Sequence, residues 1–308
     1  MTGGTILVTG VSGLIGGAVA RRLLLAGRQI VASDIVPLKG LACPVVEHDL
    51  RDRHRWLDII RRFAVSKVVH AGGISGPMLL QDQPAQICEI NLEGLTGLLE
   101  AARINGVARV VWFSSITAYG NRRDLAPVDE ETPLHPSTIY AATKAAGEAL
   151  LEGYFSEHGV DSVVLRVASC YGPGRTTACL IRTLIEDGLT GRTTNVKYNT
   201  RESRQHVFVE DVVDAVISAL DKQTLSRRTF NIGPGRMQSL DEIIAAVREV
   251  LPGANVELHD DGLAWNTFGI GPMIIDAARN HLGFEPRTTL ALGAQQTRLW
   301  LQRQRDLT

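Results

Sequence analysis

Thr5-Ile6-Leu7-Val8-Thr9-Gly10-Val11-Ser12-Gly13-Leu14-Ile15-Gly16 decides the fold. Its first part is a short apolar and β-branched run. It is too short for a helix and suits a strand buried on both faces of a parallel sheet. Apolar residues at helical spacing then run over 18–26 until Gly27 stops them. Strand, glycine turn and helix in that order make a phosphate-binding arrangement. The N–H groups at a helix N-terminus attract a pyrophosphate, provided that no side chain holds it away. Gly10 and Gly13 allow that close approach, Leu14 and Ile15 open the helix, and Gly16 lets the helix pack tightly on its strand. The spacing is GxxGxxG rather than GxGxxG. The glycines alone would be equally at home in a plain turn; the strand before and the helix after carry the reading.

Outward from this turn the alternation repeats. Strands are expected at 30–33, 45–46, 67–70, 109–113 and 162–166, with helices at 53–63, 85–105 and 140–158. That order predicts an α/β fold, a Rossmann-like doubly wound parallel sheet. The rhythm breaks at Tyr171-Gly172-Pro173-Gly174. We therefore expect a dinucleotide-binding domain over 1–171 with a returning segment at 204–233, and a smaller C-terminal substrate-binding domain built from 172–203 and 234–308. Within the returning segment, 230–233 reads as an added strand, and 240–251 as a further helix.

Three strand ends complete a dinucleotide pocket. Asp34 closes the second strand 18 positions after Gly16. A carboxylate there accepts hydrogen bonds from ribose hydroxyls and repels a 2′-phosphate, which favours NAD over NADP; the bland alternative is a helix N-cap. Asp49 is placed to accept from an adenine amino group while Leu50 packs on the ring. Ala71-Gly72-Gly73 ends the fourth strand with side chains small enough for a cofactor lying across it, although a simple turn would look the same.

Tyr140 and Lys144 stand four apart on one face of a predicted helix, and Ser115 follows the fifth strand. Hydride transfer from a secondary alcohol needs a base for the hydroxyl proton. A free phenol titrates near pH ~10, so neutrality demands a drop of about three units, roughly 4 kcal/mol. One nearby cation supplies about one to three units, so Lys144 together with an oxidised nicotinamide suffices. Tyr140 is then the base, Lys144 its electrostatic and ribose-binding partner, and Ser115 the donor to the substrate oxygen. A surface Tyr–Lys pair beside a polar strand end is the alternative.

Composition excludes other classes. The formal net charge of −1 offers nothing to a polyanion, so no nucleic-acid partner is expected. Cys43, Cys88, Cys170 and Cys179 form no CxxC pair and read as reduced thiols. His206 has no partner at ligand spacing, so no metal is expected and the histidine reads as structural. Neither a signal peptide nor an apolar run of about 18 residues is present; no membrane association and a cytoplasmic setting are expected.

The chain resembles the extended short-chain dehydrogenase/reductase family, also called the NAD-dependent epimerase/dehydratase family. The resemblance rests on TGVSGLIG, Asp34, Asp49-Leu50, HAGG at His70, Asn91 in NLEGLTGLLEAAR, FSSITAYG, PSTIYAATK, LRVASCYGPGR, RQHVFVEDVVDA, FNIGPG and DAARNHLGFEP. It implies NAD as cofactor, catalysis by Ser115, Tyr140 and Lys144, cofactor contacts from Asn91 and Ser114, and a homodimer paired through the helices at 85–105 and 140–158. Relatives that bind nucleotide sugars often carry Asn where this chain has Ser169, which points toward a smaller sugar acid or polyol. Ile116-Thr117 after Ser115 replaces the acidic pair of 4,6-dehydratases and argues against water elimination. The stretch 176–204 lacks the usual glycine-flanked acidic turn, though Arg204 remains. Ser115, Thr117, Ser169, Arg175 and Arg204 are the candidate substrate contacts; for the two arginines an exposed or salt-bridged role is the alternative. The expected activity is NAD-dependent oxidation of a secondary alcohol on a sugar, sugar nucleotide or sugar acid, ending in epimerisation. A net dehydrogenase of a small sugar acid or polyol is the first alternative. A non-catalytic NAD-sensing regulator is the second.

Overall fold

The structure is a computed structural model that describes residues 4–36, 40–122, 124–197, 204–259 and 269–306. Part of the stretch 176–204, namely 198–203, lies outside the described residues. The first unit is β1 (Thr5–Thr9), α1 (Leu14–Leu25), β2 (Ile30–Asp34) and β3 (Val45–Glu47). The second is α2 (Arg53–Arg62), β4 (Val65–His70), α3 (Pro84–Cys88), α4 (Gly94–Asn105), β5 (Arg109–Ser115), α5 (Ile139–His158) and β6 (Ser162–Val167). The chain then gives β7 (Ser169–Tyr171), α6 (Leu180–Leu189), β8 (Thr193–Lys197), β9 (His206–Phe208), α7 (Val209–Asp221) and β10 (Thr229–Ile232). It ends with α8 (Leu240–Val250), β11 (Asn255–His259), α9 (Asp276–Leu282) and α10 (Leu290–Asp306).

Seven strands form one parallel sheet in the order β10-β6-β5-β4-β1-β2-β3. Alternation explains the layers. Ile6, Val8, Val69, Val111 and Leu165 pack with α1 and α7 on one side. Leu7, Val31, Val68, Val110 and Trp112 pack with α2, α4 and α5 on the other. Both faces of each central strand are therefore dry, as the unbroken apolar runs require. Strand order reverses between β1 and β4, so a crevice opens at their C-terminal ends. Thr9, Asp34, His70 and Ser115 all stand at that edge.

Local chemistry sets the helix ends. Thr138 caps α5 by accepting from Ala141 N–H at 3.1 Å, and Gly159 ends it with a left-handed backbone. The single helix expected at 85–105 is instead broken: a π-helical turn at Glu89–Glu93 separates α3 from α4. Asn91 lies within that turn and spends its amide on other elements. Around the C-terminal part, β11 pairs with β8, β7 pairs with β9, and buried residues of α6 and α8 join the core beside the sheet.

Candidate active site

A cavity of about 1170 Å³ runs along the strand ends. Gly10, Gly13 and Gly16 line one end, Ser115, Tyr140 and Lys144 the middle, and Ser169, Arg175 and Arg204 the other.

The glycine end fits a dinucleotide. Gly10 has φ +68°, and a Cβ there would lie 2.6 Å from the Ala71 carbonyl and Gly72 N. Only glycine satisfies both conditions. At Gly13 the nearest other atom to such a Cβ is Gly10 O at 3.2 Å, so a side chain would project toward the cavity. No side chain caps α1, which leaves its first N–H groups for a ligand. Asp34 accepts from Ser12 N–H at 2.9 Å and from Val36 N–H at 3.2 Å. Its carboxylate thus braces the glycine turn and still lines the cavity. Thr9 Oγ1 lies 2.8 Å from His70 Nδ1 and accepts from Gly72 N–H at 3.0 Å, fixing the small-residue loop. Burial pushes His70 down to about 3, so its ring is neutral.

Leu50 is buried against Gly72 and lines the cavity as expected of a ring-packing side chain. Asp49 lines it too, but its carboxylate is paired with Arg51 at 2.6 Å, which holds it below the usual carboxylate range. Asn91, expected at the cofactor, is engaged by the fold. It is absent from the cavity wall: its Oδ1 accepts from Ile74 N–H at 2.8 Å, and its Nδ2 donates to Thr143 Oγ1 at 3.0 Å and Ile74 O at 3.3 Å. Three of the four hydrogen bonds its amide can make thus latch the loop after Gly73 to α5. Ser114 borders the cavity, yet its hydroxyl donates to Glu148.

In the middle, Ser115 Oγ accepts from Thr117 N–H at 3.2 Å and from Thr117 Oγ1 at 2.9 Å. Both lone pairs are used, so the Ser115 hydrogen is what remains to give. Thr117 thereby aims Ser115 as well as lining the cavity. Lys144 Nζ donates to Phe113 O at 2.9 Å and sits 5.7 Å from the centre of the Tyr140 ring. Burial brings Lys144 down to about 8, against the upward pull of Glu148. Burial raises the Tyr140 phenol, while the Ser115 hydroxyl and the Arg175 charge act to lower it.

At the far end Ser169 is exposed to the cavity. Arg175 donates to Thr177 O at 3.2 Å, to Ala178 O at 3.3 Å and to Cys170 O, clamping its own loop. Arg204 is buried and hydrogen-bonded through its backbone to Gln238 at 2.8 Å and 2.7 Å. His206, buried and pushed down to about 3 by that burial, packs edge-on to Tyr171. Sequence reasoning missed Met78, Gln81, Thr138, Met237 and Ile270, which complete the wall. They come from loops and element ends with no periodic signal. It also missed Glu148 and Arg166, although Glu148 continues the four-residue spacing of Tyr140 and Lys144. No group of His, Cys, Asp or Glu that could hold a metal occurs among the described residues, and none of their helices is long and apolar enough to cross a membrane.

Fold and cradle together define an enzyme that uses a dinucleotide at the switch point of its sheet. More closely, the chain belongs to the NAD dependent epimerase/dehydratase family, whose model matches residues 6–233. A UDP-glucose 4-epimerase of Mycolicibacterium smegmatis is 29% identical over 94% of this chain and 96% of its own length. The UDP-glucose 4-epimerase of Thermotoga maritima, solved with UDP-glucose, superposes with a TM-score of 0.89 at 26% identity, covering 97% of this chain and 99% of that one. The Thermus thermophilus UDP-glucose 4-epimerase, solved with NAD, gives 0.86 at 26% identity with coverage of 97% and 99%. NAD is the cofactor of this enzyme, and the glycine cradle suits it.

Proposed function

We propose that this enzyme is an epimerase that oxidises and re-reduces a secondary alcohol on a nucleotide-linked sugar, with Ser115, Tyr140 and Lys144 as its catalytic groups. One observation carries the reading. A single cavity of about 1170 Å³ joins the glycine turn to Tyr140 and on to Arg204. Ligand pockets commonly hold about 300–1,000 Å³, so this one has room for a sugar nucleotide beside a dinucleotide. Arg175 and Arg204 add positive charge to the wall of this cavity, which suits a diphosphate. The relatives named above act on UDP-glucose.

When bound, NAD supplies the hydride acceptor and donor together with a positive charge beside the phenol. The chain does the rest. Tyr140 Oη takes the proton of the substrate hydroxyl and later returns it. Ser115, its lone pairs filled by Thr117, turns its one hydrogen from the Tyr140 oxygen to the substrate oxygen when substrate binds. Lys144 stabilises the phenolate. Because burial lifts the phenol, its descent must come from the Ser115 hydrogen bond together with nearby positive charge.

Ser169, which lines the cavity where relatives that bind nucleotide sugars often carry Asn, favours a second reading, a dehydrogenase of a smaller sugar acid or polyol. The presence of both Tyr140 and Lys144 stands against a non-catalytic NAD sensor. Parallel incubations with NAD and either UDP-glucose or a panel of sugar acids and polyols separate the three. A C4-inverted sugar nucleotide without accumulating NADH, read by chromatography and absorbance, supports the proposal. Stoichiometric NADH from a sugar acid or polyol supports the dehydrogenase, and binding without turnover the sensor. A homodimer joined along α4 and α5 is part of the proposal, to be checked by light scattering. So is a cytoplasmic setting, which the four free cysteines suit.

A further inference from the structure

Lys144 is buried, and its Nζ donates to a neutral carbonyl, Phe113 O. Something must keep an ammonium charged there. Tyr140, Lys144 and Glu148 follow one another at four-residue steps along α5, on one face. The Glu148 side chain is only 10% exposed and the Arg166 side chain 7%. Arg166 grips both carboxylate oxygens, with Nε at 3.0 Å and 3.1 Å and Nη2 at 2.7 Å, while Ser114 donates to Oε1. Arg166 Nη1 donates to Tyr119 Oη at 2.9 Å and to Glu130 O at 3.1 Å, and Tyr119 Oη lies 2.7 Å from Asn231 Oδ1. One carboxylate thus ties α5 to the ends of β5 and β6, and through Tyr119 to β10.

We propose that Glu148 is a positioning residue: its carboxylate, anchored by Arg166 and Ser114 one helical turn beyond Lys144, is the counter-charge that keeps the Lys144 ammonium protonated beside Tyr140. This rests on the reading of Tyr140 and Lys144 given above. The groups facing Lys144 are Tyr140 and Glu148 from α5, the neutral His70 from β4, the Trp112 ring of β5 at 4.8 Å, and Arg166 of β6 beyond the carboxylate. Burial drives Lys144 down to about 8, and Glu148 is the charge acting upward on it. Stability alone does not call for such a pair, because buried ion pairs are often replaceable by apolar side chains without loss.

The test compares the full-length enzyme with Glu148→Gln and with Glu148→Gln/Arg166→Met; the double variant strands no guanidinium and so guards against misfolding. The Lys144 titration is followed by NMR of 15N-lysine protein without NAD, its signal assigned through Lys144→Met. Removing the carboxylate should lower the Lys144 midpoint by roughly one unit in both variants. With NAD and substrate, the rising limb of kcat against pH should move to higher pH and kcat at pH ~7 should fall about tenfold, with KM within about twofold. An unmoved Lys144 midpoint in the double variant overturns the part given to Glu148. A lowered midpoint with an unmoved kcat profile overturns the proposal differently, by removing Lys144 from the reaction, and so identifies failure of the underlying catalytic reading.

Discussion

Tyr140→Phe is the sharpest perturbation of the catalytic reading. It removes one oxygen and leaves the ring, which is 7% exposed and lies 5.7 Å below the Lys144 ammonium. Within the protein that oxygen meets the Ser115 hydroxyl, so stability should change by no more than about 1 kcal/mol. The glycine turn, Asp34 and the Ala71–Gly73 loop are held by other hydrogen bonds, so NAD affinity should stay within about threefold. Catalysis should not. A positioned general base contributes about 10²–10⁴ in rate, equivalent to roughly 3–5 kcal/mol. The parent enzyme should also gain activity as pH rises, because burial lifts the phenol above its ordinary value and the base must be deprotonated. The variant should lose that limb. Steady-state turnover across pH, with NAD binding by calorimetry on the same preparations, gives both readouts. Retention of parental kcat in a variant that binds NAD normally would refute the assignment of the base.

The sheet was legible because its signals are local. Leu7 and Val8 face opposite helix layers within one short run, and the glycine turn at Gly10 announces where the first helix must start. Asp34 could be placed by counting, since a strand end fixes where its carboxylate points. The π-helical turn was not legible: an extra residue in a helix has no period of its own, and its purpose, joining Asn91 to Ile74 and Thr143, lies in partners 17 and 52 positions away. Arg175 shows the same limit. A guanidinium in a glycine-rich loop gives no sign of what orients it; three of its N–H groups meet carbonyls of Cys170, Thr177 and Ala178, which only the folded loop brings together. Glu148 stood in plain spacing, but its meaning depends on Arg166, a strand residue that a buried apolar run gives no reason to single out. Positions set by backbone shape were thus readable, whereas partnerships between distant side chains were not.

Asp34→Asn should cut the preference for NAD over NADP, read as a ratio of kcat/KM values, by at least about tenfold, since the carboxylate's charge is what repels a 2′-phosphate. The amide can still accept from Ser12 N–H but gives up the exposed bond from Val36 N–H, so the melting temperature should fall only slightly; an unchanged ratio would dismiss the ribose role. Acid stability offers a test independent of any substrate. Burial holds His48 at about 4 and His70 and His206 at about 3, all below the ordinary imidazole value of 6.5. The unfolded chain therefore binds more protons than the folded one below pH ~6.5, and stability must rise with pH there. The stabilisation is complete above about 6.5 and drains away as pH falls toward the folded values, so calorimetry should show the melting temperature dropping steadily from pH ~6.5 to ~4. Replacing His206 by Gln, which needs no proton to unfold, should flatten that slope by about a third if the three rings contribute equally. A slope unaltered by His206→Gln would mean that this ring is already protonated in the folded enzyme, or solvated enough to titrate freely, and its packing against Tyr171 would have to be redrawn.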